Sequence, residues 1–268
     1  PMSDRESLST GPPRQSIRAL LWDVDGTLAE TELDGHRRAF NRAFAEAGLD
    51  WRWDVPTYLR LLSISGGRER IRHFLEEQGH PVDHGRIESL QRCKQHHYDE
   101  LMRSGAVALR PGVARLVQEA AARGLPQAIV TTSGRASVEA LCDGAAASIR
   151  SAFGFWICGE EVQRKKPDPQ GYRLAVERLR LDPAAVLAIE DSGNGLRAAT
   201  AAGLPCLVTL SESSCQEAAG EGLAGFAGAL AVVDSLGEPD RHLRAQRGPA
   251  CPRGLVSLEW LERLLLGG

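Results

Sequence analysis

Ile17-Arg18-Ala19-Leu20-Leu21-Trp22 runs directly into Asp23-Val24-Asp25-Gly26-Thr27. Six mostly apolar residues stop abruptly at two acids, a glycine and a threonine. A short apolar run closed by turn residues predicts a buried strand followed by a tight turn. Two more apolar runs further on end in the same way. Gln127-Ala128-Ile129-Val130 is followed by Thr131-Thr132-Ser133, and Val186-Leu187-Ala188-Ile189 by Glu190-Asp191-Ser192.

Between the first two of these strands the periodicity is helical. Ala39, Phe40, Ala43, Phe44 and Ala47 recur at three- and four-residue spacing before Gly48. Ile71, Phe74, Leu75 and Gln78 repeat the pattern before Gly79, and Ile87, Leu90, Lys94, His97 and Leu101 form a weaker stripe. No strand pattern occurs from about residue 31 to 105, which predicts an all-helical insertion.

After Leu109-Arg110-Pro111-Gly112, helices and strands alternate. Val113, Leu116, Val117, Ala120 and Ala121 predict a helix closed by Gly124. A strand is expected at 155–158. Asp168 and Pro169 then cap a helix carrying Tyr172, Ala175, Val176 and Leu179. A short helix with Leu196 and Ala199 ends at Gly203, and Cys206-Leu207-Val208-Thr209-Leu210 is a further strand. Loops and a short helix fill 211–228, and Ala231-Val232-Val233 reads as a late strand. A loop at 240–254 and a closing strand–helix at 255–266 complete the chain.

Such alternation predicts an α/β fold, a Rossmann-like parallel sheet core with an inserted α-helical cap. The expected division is a disordered N-terminus at 1–16, a core from 17–30 and 106–268, and a cap at 31–105.

The 268 residues are 43% hydrophobic and 25% charged, with net charge −3. That is ordinary globular composition with no basic patch, so nucleic acid is not an expected partner. None of the six cysteines falls in a C-x-x-C pair or at zinc-finger spacing, so free thiols in a reducing compartment are expected. No apolar run reaches membrane-spanning length, and the polar start lacks a secretory signal. A monomer in the cytoplasm is expected, or in the plastid if the source is a photosynthetic eukaryote.

In an open parallel sheet, ligands bind outside the carboxyl ends of the strands. Residues far apart in sequence therefore converge on one crevice. Asp23, Asp191 and Glu190 would repel one another there unless a cation neutralised them. Oxygen ligands and few protein donors favour Mg²⁺. The candidate metal ligands are Asp23, Asp25, Glu190 and Asp191. Lys166 adds positive charge, with Lys165 expected outside. Thr131, Thr132, Ser133 and Lys166 are candidate phosphate contacts; Thr132 and Ser133 serve equally well as helix caps. Asp23, already ionised at neutral pH, is the candidate nucleophile toward a phosphorus atom. Asp25, two residues on, can protonate the leaving oxygen and later deprotonate water. Ser192 reads as a helix cap, His96 and His97 as solvated, and Trp51, Trp53 and Trp260 as packing residues.

Asp23-Val24-Asp25-Gly26-Thr27 resembles the first motif of the haloacid dehalogenase (HAD) phosphatase superfamily. Thr131 resembles its second motif, Lys166 its third and Glu190-Asp191 its fourth, over roughly residues 17–210. The helical insertion is similar to the cap of the beta-phosphoglucomutase-like branch. Ala29-Glu30-Thr31-Glu32, His36-Arg37-Arg38-Ala39-Phe40-Asn41, Tyr58 and Gly66-Gly67-Arg68-Glu69-Arg70-Ile71 resemble CbbY-type phosphatases, some of which hydrolyse xylulose-1,5-bisphosphate. The sequence departs from that pattern by one extra residue between Glu32 and His36, by Arg68 in place of a lysine, and by a longer region after 210.

The resemblance implies a Mg²⁺-dependent phosphatase of a small sugar phosphate. It also implies a substrate-binding set of Glu32, His36, Tyr58, Gly66, Gly67 and Arg68. A mutase of the same fold and a non-catalytic binding module are the alternatives.

Overall fold

The computed structural model describes residues 16–64 and 66–267. The stretch expected to be disordered lies outside them, except for Ser16.

Seven strands form one sheet in the order β3-β2-β1-β4-β5-β6-β7. They are β1 (Ala19–Trp22), β2 (Gln127–Val130), β3 (Phe153–Ile157), β4 (Val186–Glu190), β5 (Cys206–Thr209), β6 (Ala231–Val233) and β7 (Ala245–Arg247). The first six are parallel; β7 runs antiparallel to β6 at the edge. β1, β2, β4 and β5 are buried at every position, because helices cover both faces of a parallel sheet.

Period-two alternation sorts their side chains between two cores. Leu20 and Trp22 face α5 (Val113–Ala122), α6 (Arg135–Asp143) and α10 (Leu258–Leu265). Ala19 and Leu21 face α7 (Gln170–Leu179) and α8 (Gly193–Ala201). The sheet turns direction between β1 and β4. Trp22 lies opposite Ile189, and the Asp23 N–H donates to the Ile189 carbonyl at 3.1 Å. This register carries Asp23 alongside Glu190 and Asp191.

Residues 32–103 contain no strand. A six-residue π-helix, Glu32–Arg37, leads into α1 (Arg38–Glu46), followed by α2 (Val55–Leu61), α3 (Gly67–Glu77) and α4 (His84–Arg103). A third apolar core belongs to these elements alone, built on Phe40, Phe44, Trp53, Tyr58, Leu61, Ile71 and Phe74. A π-turn bonds i→i+5 and so holds more residues per turn than an α-helix.

Two expectations are corrected near the C-terminus. β7 occupies part of the expected loop; its Ala-Gln-Arg sequence is exposed throughout and shows no apolar alternation. Residues 255–257, where the closing strand was expected, form no strand; a 3₁₀ turn at Pro252–Gly254 precedes them. α9 (Glu212–Glu221) is the helix expected after β5.

Arg110 ties the sheet's carboxyl edge together. It is buried, and its guanidinium donates to the carbonyls of Gly26, Thr209 (2.8 Å), Leu210 (2.6 Å) and Asp234 (2.9 Å). Its Nε lies 3.1 Å from Glu30 Oε1. One planar fork thus joins the ends of β5 and β6 to the turn after β1. Arg110→Met should leave these acceptors and Glu30 unpaired and cost about 3–5 kcal/mol. Arg110→Lys should recover little of it, since an ammonium lacks the fork. Urea unfolding of the two variants beside the parent protein measures both effects.

Candidate active site

The turn after β1 delivers two carboxylates in different directions. Asp23 Oδ1 accepts from Lys166 Nζ at 2.7 Å, and Oδ2 from the Thr27 hydroxyl at 3.0 Å. Gly26 lets this turn pass beneath Asp191. Its φ is +82°, and a Cβ there would lie 2.1 Å from Asp191 Oδ2.

From β4, Glu190 Oε1 lies 2.6 Å from Lys166 Nζ and accepts from the Tyr172 hydroxyl. Asp191 Oδ2 accepts from the Ser211 hydroxyl at 2.6 Å. Lys166 also donates to the Val130 carbonyl at 2.7 Å, which fixes it between β1, β2 and β4. Lys165 is exposed, as expected.

Carboxylate oxygens of Asp23, Glu190 and Asp191 all lie within 4.8 Å of one another, and all three residues are buried. Burial, and then the charge of Glu190, push the Asp23 pKa up to about 7 despite Lys166. Burial, and then the charge of Asp23, push Asp191 well above the usual carboxylate range. This corrects the expectation that Asp23 is freely ionised at neutral pH: the cluster is short of positive charge. Glu190 Oε2 is buried without a hydrogen-bond partner. Three converging carboxylates, one with an orphaned oxygen, fit a hard divalent cation.

The Asp25 carboxylate stands outside that group of side-chain oxygens. Its Oδ1 accepts from the Thr31 hydroxyl at 2.5 Å and faces His36 Nε2 at 3.3 Å; its Oδ2 accepts from the Ser133 hydroxyl. Burial alone would raise its pKa. The hydrogen bond and charge of His36, helped by Ser133 and Thr31, overcome burial and hold the carboxyl well below its ordinary range. Ser133 therefore serves Asp25; the residue preceding α6 is Gly134, with no side-chain cap. Thr131 Oγ1 accepts from the Ser133 N–H at 3.1 Å, and Thr132 lies in the same turn.

The helical module reaches Asp25 through His36. Lys94, from α4, lies 2.8 Å from His36 Nδ1, and the Tyr98 ring stacks on the imidazole at 4.1 Å. The Asp25 carboxylate can only accept, so Nε2 carries a proton and donates to it. Burial lowers the Lys94 pKa to about 8, against the opposing pull of Glu32. Tyr58 is fully buried; its hydroxyl donates to Glu32 Oε2 at 2.6 Å and accepts from Arg70 Nη1 at 3.2 Å.

Gly66 and Gly67 begin α3. Arg68 is half exposed and pairs with Glu88 at 2.5 Å; the buried arginine of this segment is Arg70. His97, expected to be solvated, is mostly covered and bonded to Glu46 and Glu100.

A family model for haloacid dehalogenase-like hydrolases matches residues 17–203. The chain belongs to that family. Among relatives of these hydrolases, protein CbbY of Cupriavidus necator is 45% identical over 230 residues, covering 83% of this chain and 87% of its own. A CBBY-like protein of Arabidopsis thaliana is 38% identical, covering 88% of this chain and 73% of its own. The crystal structure of a CbbY mutant from Rhodobacter sphaeroides in complex with xylulose-1,5-bisphosphate superposes with a TM-score of 0.73 at 44% identity, covering 82% of this chain and 94% of that one.

Sequence reasoning missed Thr31, Lys94, Ser211 and Tyr172. Ser211 was within reach of the same rule that found Asp23, since it follows the apolar strand β5. Lys94 was visible as a basic residue on an otherwise apolar helix stripe.

The carboxylate cluster predicts a stability response. A group whose folded pKa is raised contributes stability at low pH that is lost as pH rises through the folded value. For Asp23 that window runs from the ordinary 3.8 to about 7. Asp191→Asn should raise the melting temperature of the chelator-treated protein by about 3 °C or more above pH ~7, and by much less near pH ~4. Added Mg²⁺ should stabilise the parent protein and not the variant. Calorimetric melts across pH, with and without the ion, test both halves.

Proposed function

We propose that this hydrolase is a Mg²⁺-dependent phosphatase of a small sugar phosphate, a pentulose bisphosphate such as xylulose-1,5-bisphosphate. The observation that carries the reading is Asp23. Its carboxylate is fixed by Lys166 and Thr27 beside a cation-deficient acidic cluster, with a second, separately hydrogen-bonded carboxylate two residues away. The CbbY structure with xylulose-1,5-bisphosphate supports the substrate class.

Held by Asp23, Glu190 and Asp191, Mg²⁺ would supply the positive charge that lets a carboxylate and a phosphate dianion approach. Lys166 turns one Asp23 oxygen and orients the other toward the phosphorus. A bond forms between that oxygen and phosphorus while the bond from phosphorus to the sugar oxygen breaks. Asp25 gives its proton to the departing sugar oxygen, then takes a proton from the water that opens the aspartyl-phosphate. Thr131, Thr132 and Ser133 border the place of the transferring phosphoryl group.

With His36, Ser133 and Thr31 in place, Asp25 is held as the base the second step needs. Withdrawal of His36 removes the largest influence lowering its pKa, so Asp25 can take up a proton when the helical module opens. We read residues 31–105 as a cap that hinges near 30–31 and 104–110. The narrowness of the crevice supports this: the space lined by Thr131, Thr132, Lys166 and Tyr172 has a volume of only about 10 Å³. Glu32, His36 and Tyr58 would then set the sugar's place, with Gly66, Gly67 and Arg68 at the second phosphate.

Asp23→Asn should lower kcat by at least about a thousandfold without loss of fold, because an amide cannot accept the phosphoryl group. Phosphate release from xylulose-1,5-bisphosphate is the measurement; an isomeric sugar phosphate as the sole product would identify a mutase instead.

Arg68→Ala should raise KM for the bisphosphate about 10- to 100-fold, the worth of a charged hydrogen-bonded contact. It should scarcely alter hydrolysis of p-nitrophenyl phosphate. Equal losses on both substrates would place Arg68 in the general architecture.

A further inference from the structure

A second group of metal-binding side chains lies in the helical module, among residues that contact none of the catalytic carboxylates. α4 carries Cys93 and His97 four residues apart, so both project from one face. That face meets the end of α1, whose last residue is Glu46. Donor atoms of Glu46, Cys93 and His97 all lie within 4.8 Å of one another. His97 Nε2 is 2.7 Å from Glu46 Oε2, and the Cys93 thiol is hydrogen-bonded to the same carboxylate.

The surroundings of His97 are an independent sign. Its Nδ1 faces Glu100 Oε2 at 3.3 Å, one helical turn beyond His97 and on the other side of the ring. Carboxylates thus lie at both ring nitrogens. An imidazolium would donate to both; an imidazole donating from Nδ1 to Glu100 leaves Nε2 free to hold a cation against Glu46. A carboxylate on Nδ1 is also the usual partner of a metal-bound histidine, because it fixes the tautomer that presents Nε2.

We propose that Glu46, Cys93 and His97 form a binding site for a borderline-soft divalent cation, Zn²⁺ in particular, with Glu100 orienting His97. The donor chemistry separates it from the catalytic cluster. Three carboxylates select a hard ion, whereas thiolate, imidazole and carboxylate together select zinc-like ions. Zinc takes sulfur at about 2.3 Å and nitrogen or oxygen at about 2.0–2.2 Å, so its ligand atoms stand roughly 3–4 Å apart. The three donors reach that spacing through small side-chain movements. Glu46 is 63% exposed, so water has access to a fourth position. Binding releases the Cys93 thiol proton to solvent and leaves a thiolate on the metal. The site pins the end of α1 to the middle of α4, and so stiffens the module that supplies His36 and Lys94.

Cobalt(II) is the probe, because a thiolate bound to cobalt absorbs in the near ultraviolet and an all-oxygen site does not. Full-length protein with cobalt should show that band. Asp191→Asn, which alters the catalytic cluster, should keep it; Cys93→Ser should lose it. Zn²⁺ should raise the melting temperature of the Asp191→Asn protein and lose that effect on adding Cys93→Ser or Glu46→Gln. The exposed Glu46 makes the second substitution safe for folding. Glu100→Gln should weaken zinc binding by about 10- to 100-fold, measured by calorimetry. Absence of the band, its survival in Cys93→Ser, or a zinc response indifferent to both substitutions overturns the proposal.

Discussion

Repulsion among Asp23, Glu190 and Asp191 is the constraint around which the fold is arranged. Three buried carboxylates converge, and among the described residues only Lys166 lies among them as a cation within bonding distance of two. Left to itself, a chain would separate such groups. The parallel register prevents it: β1 and β4 are hydrogen-bonded neighbours, and their carboxyl ends must finish side by side. Apolar contacts on both faces of β1 and β4 hold this arrangement against the electrostatic cost. The raised pKa of Asp23 and Asp191 expresses the same strain as a demand for protons or metal. A site that strongly disfavours its own empty, ionised state is well prepared to hold a cation and, through it, an anion.

Neighbouring groups divide the carboxylates into two roles. Asp23 and Asp191 sit where nearby carboxylates and burial outweigh the cations. Asp25, only two residues from Asp23, sits where three donors from separate elements outweigh burial. The difference comes from direction: β1 ends at Trp22, and beyond it Asp23 turns to Lys166 while Asp25 turns to Ser133, Thr31 and His36. Two acids two residues apart thus acquire opposite electrostatic surroundings, the separation that nucleophile and acid/base roles require.

The sheet was legible because its strands are nearly continuous apolar runs, and because each ends on a chemically distinctive residue. Asp23, Thr131, Glu190 and Asp191 could be gathered to one edge from that pattern alone. The edge strand β7 was not legible. Its exposed residues carry no apolar signal, and its pairing depends on β6 presenting a free edge. Arg110 was hidden for a related reason: its partners are backbone carbonyls from three distant segments, which leave no mark in sequence. Tyr58 shows what a residue type alone leaves unread: its hydroxyl bonds both Glu32 and a buried arginine, Arg70, that no sequence pattern singled out.

The π-turn ahead of His36 acquires a physical meaning only in three dimensions. An α-helix advances about 100° per residue, so the wider turn changes the direction in which His36 leaves the helix. Gly35 within it allows close approach to α4; a Cβ there would meet Met102 at 2.8 Å and Tyr98 at 3.0 Å. His36 then stacks on Tyr98, meets Lys94 at Nδ1 and presents Nε2 to Asp25. The π-turn and the buried lysine form one device. Its effect is to hand control of Asp25's proton affinity to the helical module, so the position of that module and the protonation of Asp25 cannot vary independently.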